Sequence, residues 1–183
     1  MNNIVTDYKF PQKIYFEKIL KRISSHIESN TRAHSKIIDY GCGKNLLKSF
    51  VHKLNPALKV YGYDIDPSLS TISDPFSPIY DVWVFNHVLM YMSADEIVEV
   101  FNKIKSLNEQ AIILIGVRRQ NILSKVGAFF LSPEAHEGII TPGATQYKII
   151  NQELHVRSRE SIYGMTDLFI CELLNARNQR QFL

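Results

Sequence analysis

The sequence predicts an α/β fold in which a mostly parallel sheet lies between helices and carries an antiparallel hairpin at its C-terminal end. Three observations carry that expectation. Short apolar runs at Lys36–Tyr40, Lys59–Tyr63, Asp81–Phe85 and Ala111–Val117 alternate with stretches of helical periodicity, the rhythm of strands joined by right-handed crossovers. The run Ala111–Val117 is apolar throughout, as suits a strand buried on both faces of a parallel sheet. Two β-rich runs, Leu154–Ile162 and Thr166–Leu174, flank Tyr163-Gly164-Met165, which reads as a hairpin.

The helices follow from spacing. Phe16, Leu20, Ile23 and Ile27 recur every three to four residues, giving one amphipathic helix from about Pro11 to Ser29. A second helix spans about Asn45 to Leu54, with Leu46, Leu47, Phe50, Val51 and Leu54 on its inner side and Asn55-Pro56 as its stop. A third covers about Ala94–Leu107, with Asp95 and Glu96 in its first turn, where negative charge is favoured. A fourth helical pattern runs over Asn121–Phe130.

Composition bounds the function. The chain has 183 residues, of which 45% are hydrophobic and 21% charged, so it can bury a core and whole-chain disorder is excluded. One domain over residues 1–183 is expected, with an N-terminal helix region (1–35), a core (36–117) and a second region ending in the hairpin (118–183). Lys plus Arg number 21 and Asp plus Glu 18, a net charge of +3 that is too small and too scattered to argue for a polyanion partner. Neither Met1–Lys9 nor any apolar run resembles an export signal or a bilayer span, so no membrane partner is expected. The 2 cysteines, Cys42 and Cys171, show no metal spacing, and a reducing, cytoplasmic location fits them.

The sharpest chemical signal is Asp39-Tyr40-Gly41-Cys42-Gly43 at the carboxyl end of the first strand. The two glycines allow a tight turn and a close approach of ligand to main chain. Asp64 stands at the end of the next strand, where a ribose-binding acid belongs. Leu46 occupies the place of the third glycine of a dinucleotide loop, and Asp39 precedes the first glycine by two residues. A carboxylate there repels a pyrophosphate and attracts an ammonium or sulfonium. The loop therefore favours a ligand that is cationic at its centre with a ribose beyond.

These residues resemble the class I S-adenosylmethionine-dependent methyltransferases. Asp39–Gly43, Gly62-Tyr63-Asp64-Ile65-Asp66-Pro67 and Asp81-Val82-Trp83-Val84-Phe85-Asn86-His87-Val88-Leu89 look like that family's first, post-first and fourth motifs, in order, across about 36–117. The resemblance implies a three-layer, Rossmann-like sheet of seven strands with an antiparallel last strand, and S-adenosyl-L-methionine as cofactor. It places Asp39, Gly41, Cys42 and Gly43 by the methionine part, and Asp64 on the ribose hydroxyls with Ile65 beside it. Asn86 and His87 would stand where methyl donor meets acceptor. Two departures stand out. Asn45 replaces a third glycine that many members carry, and Asn tolerates left-handed backbone. Only 14 residues (67–80) separate Asp66 from Asp81, where a helix and an edge strand need about 25. The third strand is therefore expected to be missing or vestigial. Asp74 is then either the acid that reads the adenine amino group or a turn residue before Pro75. The second strand becomes an edge, covered either by the loop Ser68–Pro78 or by a second copy of the chain, so a homodimer is one expectation.

On the acceptor side, His87 is expected either to orient an acceptor or take its proton, or to fill a backbone-bonding role. Tyr91 either walls that site or packs. Arg118 and Arg119 follow the fourth strand, as a bidentate grip on an acidic acceptor or as a solvated pair. His136, in Ala135-His136-Glu137-Gly138, is an acceptor-site candidate or a solvated loop histidine. No metal site is expected. The function expected is methyl transfer to an oxygen, nitrogen or carbon atom of a small metabolite or lipid-like acceptor. A Gly-Cys-Gly-x-Asn run also resembles some ribosomal RNA methyltransferases linked to aminoglycoside resistance. RNA methylation and a non-catalytic, partner-dependent cofactor-binding subunit therefore stand as alternatives.

Overall fold

A computed structural model describes residues 12–119, 121 and 138–174. Helix α1 (Gln12–Asn30) leads into strand β1 (Lys36–Tyr40), helix α2 (Leu46–Leu54), and strands β2 (Lys59–Tyr63) and β3 (Val82–Asn86). A single 3-10 turn, Leu89–Tyr91, precedes α3 (Ala94–Leu107) and β4 (Ile112–Arg118). Helix α4 (Gly143–Glu153), β5 (Leu154–Ile162) and β6 (Thr166–Leu173) complete the described chain. The six strands lie in the order β2-β1-β3-β4-β6-β5. Strands β1 to β4 pair in parallel, and β6 is antiparallel to both β4 and β5. The hairpin is thus inserted with its second strand inward: β6, not β5, pairs with β4. The expected helix over Asn121–Phe130 lies, apart from Asn121, outside the described residues, and so does His136.

Because side chains alternate across a strand, the sheet separates two cores. On one face Ile19, Ile23 and Ile27 of α1 and Leu47 and Val51 of α2 meet Ile37, Val82, Val84, Leu114 and Ile170. On the other, Ile97, Phe101 and Ile104 of α3 and Ile149 and Ile150 of α4 meet Trp83, Phe85, Ile113, Ile115 and Phe169. Each such side chain contributes about 1.5–3 kcal/mol when fully buried. Helix α3 starts on a reciprocal cap in which Glu96 N–H donates to Ser93 Oγ at 3.2 Å and Ser93 N–H donates to Glu96 Oε2 at 2.6 Å.

Among the described residues six strands stand where the resemblance implies seven, and the missing one is the third. Residues 67–80 form no strand and instead fold back along β2. Thr71 N–H donates to Gly62 O at 2.8 Å while Thr71 Oγ1 accepts from Gly62 N–H at 2.8 Å. Ser70 Oγ accepts from Asp64 N–H at 2.7 Å, and Tyr80 packs on Tyr61 and Trp83. The loop thereby satisfies the outward backbone groups of Gly62 that an edge strand would leave open. The order of strands reverses at β1, which lies between β2 and β3. In open α/β sheets the crevice beyond such a point is where ligands bind.

Candidate functional site

The crevice is built on a strained loop. Gly41, Gly43 and Asn45 all have left-handed backbone, with φ of +80°, +49° and +56°. Asn45 thus takes the conformation that a third glycine would supply. The N–H groups of Gly41 and Cys42 both donate to Tyr63 O, at 2.7 and 3.0 Å, which pins the loop to the end of β2. A Cβ on Gly41 would come within 2.4 Å of Val88 Cγ2, whereas one on Gly43 would meet nothing within 4 Å. Gly41 is therefore required by packing, and Gly43 presents bare main chain to open space. Asp64 joins the two halves: its Oδ2 accepts from Gly43 N–H at 2.9 Å and its Oδ1 from Asp66 N–H at 3.1 Å.

Beneath the loop Asp39 is 5% exposed. Burial, and then the neighbouring Asp64, push its carboxyl up to about 7. Burial also drives the Cys42 thiol up to about 12, with Asp39 and Asp64 adding to it, so this cysteine stays protonated and is no nucleophile. At the rim Ile65 is 93% exposed, an apolar side chain standing in solvent directly after the acid. Asp74 is exposed, and its Oδ1 accepts from Phe76 N–H at 2.9 Å. That hydrogen bond gives it a turn role on the segment that returns along β2.

The far wall comes from β3, β4, β6 and α1. The Asn86 side-chain oxygen is buried and has no hydrogen-bond partner among the described residues, and a Cβ on Gly116 would come within 2.7 Å of it. His87 is left-handed, with φ +59°, and its N–H donates to Gly116 O at 3.0 Å. His87 Nε2 lies 3.0 Å from Thr166 Oγ1, which in turn is hydrogen-bonded to the Tyr15 hydroxyl. Burial brings the imidazole down to about 4, with Arg118 acting in the same direction. Burial also raises the Tyr15 and Tyr91 hydroxyls and lowers the Arg118 guanidinium, and each interacts electrostatically with Arg118. Segments from α1, β4 and β6 thus converge on His87.

Tyr15 and Thr166 are absent from the sequence reading, because nothing local marks them: 151 residues separate the two. Arg118 and Arg119 do not form one grip. Strand β4 continues through Arg118, so the two side chains leave opposite faces of the sheet. Arg118 turns toward His87, and Arg119 turns to Asp167, with Nε 3.1 Å from its Oδ2. No group of three or more His, Cys, Asp or Glu able to hold a metal occurs among the described residues. Nor is any described helix long and apolar enough to cross a membrane.

No family model matches the chain, and no curated protein matches it. Solved structures do. The mitomycin 7-O-methyltransferase is 15% identical with a TM-score of 0.61, over 87% of this chain and 55% of that one. A protein from Pyrococcus horikoshii is 10% identical with a TM-score of 0.64, over 87% of this chain and 91% of that one. Human N-acetylserotonin methyltransferase, solved in complex with S-adenosylmethionine, is 13% identical with a TM-score of 0.58, over 87% and 55%. The chain spans little more than half the length of the two named methyltransferases. What these likenesses establish is architecture: the chain has the Rossmann-like fold of the class I S-adenosylmethionine-dependent methyltransferases.

Proposed function

We propose that the chain binds S-adenosylmethionine over the carboxyl ends of β1, β2 and β3 and transfers its methyl group to an oxygen, nitrogen or carbon atom of a small-molecule acceptor. The observation that carries this reading is the buried Asp39 under a glycine loop whose outer face is open. A carboxyl pushed up to about 7 by burial is a group that gains from a cationic ligand, and the cofactor brings an ammonium and a sulfonium. The residues present fit the group. Gly43 offers bare main chain, Asp64 retains acceptor capacity for ribose hydroxyls, and the exposed Ile65 gains a cover from a planar base. The orphaned Asn86 oxygen supplies an acceptor at the crevice.

When bound, the cofactor supplies an activated methyl group on a sulfonium that is already a good leaving group. The chain has then to orient the nucleophile and exclude water. His87 is neutral at pH 7, with Nε2 engaged by Thr166 and Nδ1 free of any partner among the described residues. A base with so low a pKa takes protons poorly, so its role is to hold the acceptor by a hydrogen bond. Arg118 interacts electrostatically with both His87 and Tyr91, which supports an acceptor with polar groups. The small net charge supports a metabolite over RNA. The neighbours that are named for small-molecule methylation support it too.

The test is calorimetric titration of S-adenosylhomocysteine, followed by transfer of isotope-labelled methyl from S-adenosylmethionine to a panel of hydroxylated and aminated small molecules. Binding heat with label in a small product supports the reading. A folded chain that gives no heat overturns it, and binding without transfer to any acceptor favours a non-catalytic subunit.

A further inference from the structure

A second cleft lies on the opposite face of the sheet from His87. Its volume is about 450 Å³, and Arg119, Asn121, Ala144, Tyr147 and Arg159 line it, a size in the range of small-ligand sites. Behind these residues Asp167 is only 1% exposed. Three donors converge on its Oδ2: the Tyr147 hydroxyl at 2.5 Å, Arg159 Nη2 at 2.5 Å and Arg119 Nε at 3.1 Å. Arg159 also lies over the rings of Tyr147 and Phe169, at 4.9 and 5.3 Å. Both guanidinium groups are therefore fixed in orientation, yet 36% and 46% of their side chains remain exposed.

The charge does not balance. One buried carboxylate faces two arginines, leaving a net single positive charge in the cleft. Arg119 Nη1 donates to Ser161 Oγ at 3.3 Å, and most N–H donors of the two forks have no protein partner among the described residues. Ala144 is the second residue of α4, whose first turn carries no acid and whose cap, Pro142, offers no side-chain acceptor. The amide-rich end of that helix therefore adds to the positive potential. Asn121 donates from Nδ2 to Gly164 O at 2.7 Å, which holds the rim in place. An arrangement that orients planar donors while leaving them unused matches recognition of an oxyanion, which accepts two parallel N–H bonds from each fork.

We propose that this cleft binds the carboxylate or phosphate group of a small molecule between Arg119 and Arg159, on the other side of β4 from the candidate methyl-transfer site. Asp167 is a positioning residue in this scheme: it aims the two guanidinium groups and touches no ligand. The site does not depend on methyl transfer and would stand if that reading failed.

The test is titration of the whole chain with inorganic phosphate and, separately, with succinate, at constant ionic strength, reading the Arg Nε–H resonances of Arg119 and Arg159. Constant ionic strength removes general screening from the comparison. Saturable shifts at both resonances with either anion support the site, and the anion that saturates assigns phosphate or carboxylate. Linear, non-saturating drift with both anions overturns it. Ala144→Asp is the informative variant, because an acid in the first turn of a helix stabilises it and leaves Asp167 untouched. It should weaken anion affinity about tenfold or more, the effect of one added charge in the cleft. Unchanged affinity in the folded variant would place the anion elsewhere and overturn the assignment.

Discussion

Asp64 accepts a hydrogen bond from the Gly43 N–H at 2.9 Å, so the acid at the end of β2 is also the clasp of the glycine loop at the end of β1. One side chain therefore holds the loop and faces the crevice. Asp64→Asn keeps an acceptor oxygen for Gly43 but loses the charge, while Asp64→Ala loses both. Ala should cost about 1 kcal/mol of fold stability, as expected for a half-buried hydrogen bond to a charged group. The thermal stabilisation by S-adenosylhomocysteine should fall sharply in Ala and partly in Asn. Ligand stabilisation equal to wild type in the Ala variant would remove Asp64 from the ribose site.

Two buried titratable groups work in opposite directions with pH. Asp39 has its folded pKa raised to about 7, so its contribution to stability is complete below its unfolded value near 4 and is lost as pH rises through 7. His87 has its folded pKa lowered to about 4, so its contribution is present above its unfolded value near 6.5 and is lost as pH falls through 4. The shifts correspond to about 4 and about 3 kcal/mol, at roughly 1.4 kcal/mol per unit, and they nearly cancel across the same window. Wild type should show a flat stability profile between pH 4 and 7. Asp39→Asn should lose stability on acidification over that window, and His87→Gln should lose it on alkalinisation. Denaturant melts of the three proteins at pH 4.5, 6 and 7.5 test this, and parallel profiles would refute it.

The parts of this architecture that were legible in the sequence are those whose signal is local. Strands β1, β3 and β4 are apolar runs, the hairpin turns at Tyr163-Gly164-Met165 where it was expected, and Asp39 to Gly43 announces the crevice within five residues. Helix α4 was not legible, because its buried face includes Gly143 and Gln146 beside Ile149 and Ile150 and so lacks an apolar stripe. The environment of His87 was not legible for a different reason. Thr166 reaches it across 79 residues of chain, and Tyr15 joins Thr166 across 151, only through the packing of α1 and β6 on the sheet. The two faces of Arg118 and Arg119 hinge on one residue of strand length, since β4 ends at Arg118 and not at Val117.

Thr166 is the joint of the Tyr15–Thr166–His87 chain, and it is fully buried. Thr166→Val is close in shape and leaves both neighbours without their common partner. The expected cost is about 1–3 kcal/mol, the penalty for orphaned buried polar groups. Because His87 would lose the contact at Nε2, turnover should fall with cofactor affinity unchanged, and Thr166→Ser should restore it. A loss of kcat in Val that Ser does not rescue would make the role one of packing alone.

Gly41 and Gly43 share left-handed backbone but differ in what a side chain would meet. Alanine at either position is strained, at about 1 kcal/mol or more for a Cβ in that region. At Gly41 the new Cβ would also stand 2.4 Å from Val88 Cγ2, a part-buried, β-branched side chain packed against the core. Gly41→Ala should therefore destabilise the fold by about 2–4 kcal/mol, with the overpacking added to the strain. Gly43→Ala meets nothing within 4 Å and should fold with only the strain cost. If the open face of Gly43 is where the methionine part of the cofactor lies against the main chain, that single methyl should still abolish the shift in Tm given by S-adenosylhomocysteine. Retention of the shift in folded Gly43→Ala would move the ligand off the loop, whatever the fate of Gly41→Ala.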